Sequence, residues 1–199
     1  MTRIADRHPL VHLLGLLVAA LAALLAAGAL VPARAHAGGY DWLLAPTTQC
    51  GGHNQVDRSL SATDQEKVMQ CLHNWARRRA GVGVLRPSSL LYNSSGGKTA
   101  DMMRCHQFSH TACGHYMQYH FDRVGYTSGV CWGWGENIAW GPTNWGSPRA
   151  IMRSWLNSTV HRENILNRSF RDFGVGVRKG TFMGHRDSEV WTAHFGYRC

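Results

Sequence analysis

The chain has 199 residues, with 21 Lys and Arg against 12 Asp and Glu, a formal net charge of +9. That length suits one domain plus extras, and so basic a surface draws anionic lipids, acidic cell-wall polymers or nucleic acid. The strings G-x-S-x-G, H-E-x-x-H, Walker A and a helix-leading G-x-G-x-x-G are absent, which excludes the enzyme classes they mark.

Residues 1–37 are unlike the rest. Arg3 and Arg7 precede an apolar run from Leu10 to Leu30, and Ala35-His36-Ala37 has the small-x-small form of a cleavage site. The segment reads as a secretory signal peptide. Removal is favoured over retention as an uncleaved anchor, for which about 20 apolar residues are long enough. Cleavage takes away Arg3, Arg7, Arg34 and Asp6, a net of +2, so +7 of the +9 stays. The mature chain is then expected to be secreted, without a stable membrane span and without nucleic acid as partner. All six cysteines follow the cut. An even count in an exported chain reads as disulfides, and the lack of any C-x-x-C pair argues against a zinc knuckle.

Residues 38–62 show no period and read as an extended arm, tied down through Cys50. Residues 63–199 form the domain. Thr63 to Glu66 has the T-x-x-E form of a capping box, and Val68, Leu72 and Trp75 continue at helical spacing to the stop at Gly81, so a helix is predicted over 64–80. Arg77-Arg78-Arg79 falls at its C-terminal end, where cations suit the dipole. Pro87-Ser88-Ser89 opens a shorter helix interrupted at Gly96-Gly97, and another runs over 98–106. Cys113, Met117, His120, Phe121 and Val124 share one face of a predicted helix over 113–124. Ser147-Pro148 is an N-cap with Pro at the first helical position; that helix ends or bends at Asn157-Ser158-Thr159. Glu136–Trp140 reads as a strand. Alternation over 173–177 and 191–197 predicts two more, joined as a hairpin through 179–188. Helices first and strands later give an α+β protein, helices packed on an antiparallel sheet.

The stretch "CWGWGENIAWG" sets one carboxylate, Glu136, among tryptophans and glycines. Such a carboxylate is costly unless paired. Of the histidines after the leader, His53 and His185 fall in predicted loops, and His106, His115 and His120 on helices without ligand spacing. Structural or solvated roles are assigned to all five. His110 sits between Cys105 and Cys113; a bridge between these would hold it in a short loop. His161 follows the helix break, either aimed inward or left as a helix-end residue beside a Ser158 cap.

These strings carry a resemblance. "CLHNWARRRAGVGVL", "FSHTACG", "GENIAWG", "WLNSTVHRENIL", and "FGVGV" with "WTAHFG" occur in the order found in the CAP superfamily, also called the SCP-like extracellular domain, in its bacterial type. The resemblance runs from Glu66 to Gly196. It implies a three-layer α-β-α sandwich with a central antiparallel sheet and an open cleft. In many members two histidines and two glutamates face that cleft, and the histidines can hold zinc. Carried over, the histidines are His110 and His161, the first glutamate is Glu136, and the second falls on Ser158, leaving a triad. Glu136 is then expected between the two imidazoles, accepting their N–H bonds or binding a metal-held water. Trp132, Trp134, Trp140 and Trp145 either wall the cleft or fill the core. His73 and Asn74, in the first-helix string, read as buried groups bonding nearby backbone.

Two functions compete. The favoured one is a secreted, non-catalytic module binding an amphipathic or cell-envelope ligand (a lipid, a sterol-like molecule or a glycan) in a cleft lined by His110, Glu136, His161 and Ser158, with zinc on His110 and His161 optional and no cofactor required. The alternative is a metal-dependent or His/Glu hydrolase, with Glu136 as general base or Ser158–His161 as a nucleophile pair.

Overall fold

The computed structural model describes residues 39–199; the signal-peptide reading of residues 1–37 lies outside them. The main elements are α1 (Ala62–Arg79), β1 (Arg86–Pro87), α2 (Ser89–Cys105), α3 (Tyr119–Arg123), β2 (Trp132–Pro142), α4 (Pro148–Asn157), α5 (Thr159–Leu166), β3 (Asp172–Phe182) and β4 (His185–Arg198). The sheet order is β1-β3-β4-β2. β4 pairs antiparallel with both β3 and β2, and the two-residue β1 pairs parallel with β3.

Strand alternation divides the sheet into two faces. Phe173, Val175, Trp191, Ala193 and Phe195 share one face and join the core formed with Met69 and Leu72 of α1 and with Ile151 and Trp155 of α4. The opposite face carries Gly174, Gly176, Thr192 and His194, and α2 lies on it. The result is the expected α-β-α sandwich. Gly174 and Gly176 set the spacing of the second layer. A Cβ on Gly174 would overlap the Leu91–Tyr92 backbone, and one on Gly176 would stand 2.8 Å from the Gly96 Cα. This close approach explains a departure from the sequence reading. Gly96-Gly97 does not interrupt a helix; α2 runs unbroken over 17 residues, and the glycines give room for β3 and for His120, whose Nδ1 would lie 3.0 Å from a Cβ on Gly97. The small helix-propensity loss is outweighed by packing.

Other boundaries shift for local reasons. The N-cap of α1 is Ser61, not Thr63: its Oγ accepts the Asp64 N–H at 3.1 Å. The predicted helix over 113–124 shrinks to α3, because Cys113 has φ of +60° and ends a single 3-10 turn. The long loop expected over 179–188 tightens to Met183-Gly184, both with positive φ, so β3 and β4 extend almost to each other. Ser158 is extended, with φ −94° and ψ 125°, and splits the fourth helical segment into α4 and α5.

Three disulfides join Cys50 to Cys71, Cys105 to Cys113 and Cys131 to Cys199. The first anchors the N-terminal arm to α1, and Leu43 of the arm is buried in the main core. The Arg77 reading needs correction. Arg77 is not a solvated cation on a helix end but fully buried. Its guanidinium donates to the carbonyls of Gly83 at 2.6 Å, Ile165 at 2.8 Å, Asn167 at 2.9 Å and Phe170 at 3.1 Å. The positive charge thus sits at the C-terminal end of α5, where unpaired carbonyls point. Burial, with Arg171 adding, pulls its pKa down to about 10.

Candidate functional site

Glu136 is 7% exposed and lies on β2, directly opposite His194 of β4. Both carboxylate oxygens are taken. Oε1 accepts the His110 Nδ1–H at 2.6 Å, and Oε2 accepts the His194 Nε2–H at 2.7 Å. His194 is fully buried, and its Nδ1 lies 2.8 Å from Ser94 Oγ of α2. With Nε2 carrying the proton, Nδ1 accepts from the serine hydroxyl. A hydrogen-bonded line therefore runs Ser94, His194, Glu136, His110. Its outer end is half in solvent: the His110 side chain is 41% exposed. Burial alone would push the Glu136 carboxyl up, but the bonds from His110 and His194 outweigh it, and the pKa falls to about 2.

His194 was missed by the sequence reading. The signal was there: Trp191, Ala193 and Phe195 fill one face, so residue 194 must point to the other. What the sequence lacked was the register that sets it opposite Glu136.

The next residue on β2 serves the other layer. Asn137 is fully buried and donates through Nδ2 to the His161 carbonyl at 3.0 Å, while its Oδ1 accepts from Asn164 Nδ2 at 2.9 Å. Asn137 thereby holds α5 against the edge strand. The His161 ring bonds Ser158 rather than Glu136, with Nδ1 2.7 Å from Ser158 Oγ. Burial, with His110 adding like-charge repulsion, holds the His161 imidazole below its ordinary pKa. So the structure brings His110 and Glu136 together directly, sets His161 and Ser158 together beside them, and gives His194 the place at Glu136 that His161 was expected to fill. The Nδ1 atoms of His110 and His161 are each tied back, which leaves Nε2 as the outward atom of both rings. Two imidazole nitrogens are one donor short of the usual three in a catalytic zinc site, and Glu136 already serves as the carboxylate behind one of them.

The four tryptophans divide. Trp134 packs on Phe121 at 4.9 Å and donates to Gln118 at 3.0 Å. Trp140 packs edge-on against Phe182. Trp132 is half-buried at the start of β2. Trp145, by contrast, is 75% exposed. It stands between two grooves of about 500 and 350 Å³, which share Trp145, Ala150 and Arg153. The first adds His53, Val56 and Arg149, and the second adds Trp140, Ile151 and Ser154. Ser154 stands one helical turn ahead of Ser158 on α4, so the second groove approaches the His161 side of the site.

Polar groups continue inward along α2. Ser94, Lys98 and Asp101 lie on one helical face. Lys98 is 1% exposed and within electrostatic reach of both Glu136 and Asp101. Burial pushes the Asp101 carboxyl up, but hydrogen bonds from Arg104 and His115 outweigh this and leave it below the usual range. His115 and His120, assigned no ligand role from their spacing, both face Asp101; the fold brings them there from an extended loop and a short helix.

Comparisons agree with this fold. A family model for the cysteine-rich secretory proteins, CAP, matches residues 71–195, more than half of the chain. The uncharacterized protein YkwD of Bacillus subtilis is 28% identical over 76% of this chain, which spans about half (54%) of YkwD. Among solved structures, an extracellular SCP-domain protein of Bacillus anthracis aligns with TM-score 0.56 and 24% identity, over 69% of this chain and 41% of its own. An outer surface protein of Borrelia burgdorferi aligns with TM-score 0.58 and 18% identity, over 70% and 97%. A matching family model over most of the folded domain, with the sandwich topology shared by both structures, places the chain in the CAP, or cysteine-rich secretory protein, family.

Proposed function

We propose that the chain is a secreted binding module that takes an amphipathic or cell-envelope ligand on the face formed by His110, His161 and the adjoining Trp145 grooves, without catalysing its conversion. The observation that carries this reading is the saturation of Glu136. A general base works best with a pKa near the operating pH and a free lone pair aimed at substrate. Glu136 has neither: both oxygens are bonded, at 2.6 and 2.7 Å, and its pKa is about 2. Its role is to fix the His110 ring with Nε2 outward. A metal at His110 and His161 fits the outward nitrogens as an optional addition, held by two imidazoles and oriented through Glu136 and Ser158.

The ligand class follows from the grooves. An exposed indole offers a flat apolar face for a sugar ring or acyl chain. Arg149 and Arg153 suit an anionic group beside it. Three disulfides fit export, as does the extracellular Bacillus anthracis neighbour. Among the described residues no helix is long and apolar enough to cross a membrane.

A second reading rests on one contact. Ser158 Oγ lies 2.7 Å from His161 Nδ1, the pairing of a nucleophile with its base. A carboxylate behind His161, as in a triad, would be needed to complete it, and Glu136 is committed to His110 and His194. The test is retention of envelope ligands by the purified chain, using vesicles of anionic lipid and soluble acidic glycan as probes. Trp145→Ala is expected to lower retention about tenfold. Equal retention by Trp145→Ala and wild type would remove the grooves from the proposal, and turnover lost in Ser158→Ala would replace it with the second reading.

A further inference from the structure

A second set of ligating atoms lies beyond Lys98, around Asp101. Asp101 Oδ2 has His115 Nδ1 at 2.7 Å and His120 Nε2 at 3.1 Å. One ligating atom from each of the three residues lies within 4.8 Å of the others. Hydrogen bonding accounts for His115 but not for His120. The latter is 4% exposed, yet neither ring nitrogen makes a hydrogen bond. Its Nε2 is close to the carboxylate oxygen without being aligned on it. Leaving a buried nitrogen unpaired costs about 1–3 kcal/mol, so the ring position calls for a reason.

We propose that Asp101, His115 and His120 bind a divalent transition-metal ion of the zinc class. Two imidazole nitrogens and one carboxylate oxygen suit zinc, cobalt or nickel, whereas calcium and magnesium take oxygen sets. Bonds of about 2.0–2.1 Å in tetrahedral geometry put ligand atoms about 3.4 Å apart. The present separations are slightly closer, so a small opening of the three side chains seats the ion. Arg104 holds the other carboxylate oxygen, Oδ1, at 2.6 Å and leaves Oδ2 to the metal.

The surroundings are built to hold this geometry. Asp101 is on α2, and the Cys105–Cys113 bridge ties the His115 loop to the end of that helix. Cys113 Sγ lies 3.2 Å from the Asp101 carbonyl, two residues before His115. His115 stacks on Tyr119 at 3.8 Å, and the missing side chain of Gly97 makes room for His120. The fourth position faces a cleft of about 220 Å³ lined also by Tyr119, Arg104 and Arg123. Those guanidiniums oppose a bare dication and favour an anionic group, or water, as the fourth ligand.

The site is separate from the His110–His161 pair, so the test is made in a His110→Ala/His161→Ala background on the full chain with disulfides formed. Calorimetric titration with zinc is expected to show one ion per chain. His115→Ala and Asp101→Asn should each weaken it about tenfold or more. His115 is partly exposed, so its removal leaves the fold; His120→Gln is the second variant. Cobalt in the same protein, without a change at the three residues, should give the intense visible bands of a tetrahedral nitrogen–oxygen site. Absence of saturable zinc binding, a cobalt spectrum like that of the hydrated ion, or affinity unchanged by His115→Ala would each overturn the proposal.

Discussion

Glu136 and His194 stand directly opposite each other on paired strands and share a 2.7 Å hydrogen bond in the interior of the α2 face. A carboxylate placed there is affordable only because two imidazoles and, at longer range, Lys98 answer its charge. Glu136→Ala leaves His194 buried with Nε2 unpaired and removes the charge partner of Lys98. Stability should fall by about 3–5 kcal/mol, read as a drop in the denaturant midpoint. A loss below about 1 kcal/mol would mean that Glu136 is not an organising residue.

Arg77 gives a second test of buried polar packing. Arg77→Ala strands four carbonyls near the end of α5 and should cost about 3 kcal/mol or more. Arg77→Lys should recover only part, since a single ammonium cannot reproduce the planar fork. Equilibrium urea unfolding of both variants checks the order: wild type above Lys, Lys above Ala.

His73 should make stability depend on pH. It is fully buried, bonded to the Met69 carbonyl at 2.8 Å and packed against Phe173 at 4.6 Å. Burial holds its pKa down to about 4, against 6.5 ordinarily. The folded-state value is depressed, so this contribution is present in full above pH 6.5. It is lost as pH falls from 6.5 to about 4, where the unfolded chain binds the proton first. The loss is about 3 kcal/mol over that window. His73→Leu should flatten this part of the stability–pH curve; an unchanged slope would contradict the assignment.

The disulfides should differ in weight. Cys105–Cys113 closes a sequence separation of 8 and Cys131–Cys199 one of 68. Loop entropy gives about 2.5 and about 4 kcal/mol respectively. The double Ser replacement of Cys131 and Cys199 should therefore lower the melting temperature more than that of Cys105 and Cys113. The latter pair should instead loosen the segment holding His110 and His115, visible as faster amide exchange over 106–118.

Much of this was legible in the sequence, and the gaps have physical causes. Alternation in 173–177 and 191–197 gave β3 and β4, and Ser147-Pro148 gave the start of α4. Gly96-Gly97 misled because local propensity says break, while the close contact of α2 with β3 says glycine. Arg77 misled because a basic helix end is usually solvated; only the fold reveals that the end of α5 lies over it. The pairing of Glu136 with His110 joins residues 26 apart in sequence through the neighbourhood of a disulfide loop, whereas His194 depends on strand register, which no local pattern states. Asp101, His115 and His120 share no helical spacing, since one comes from α2, one from an extended loop and one from α3.

The most direct test of the binding-module reading is hydrolytic turnover of peptide and ester libraries by wild type and by Glu136→Gln. With Glu136 committed to two imidazoles and holding His110 only in place, wild type should show no turnover above that of Glu136→Gln, while still retaining envelope ligand. Reproducible turnover by wild type that vanishes in a folded Glu136→Gln variant would contradict it.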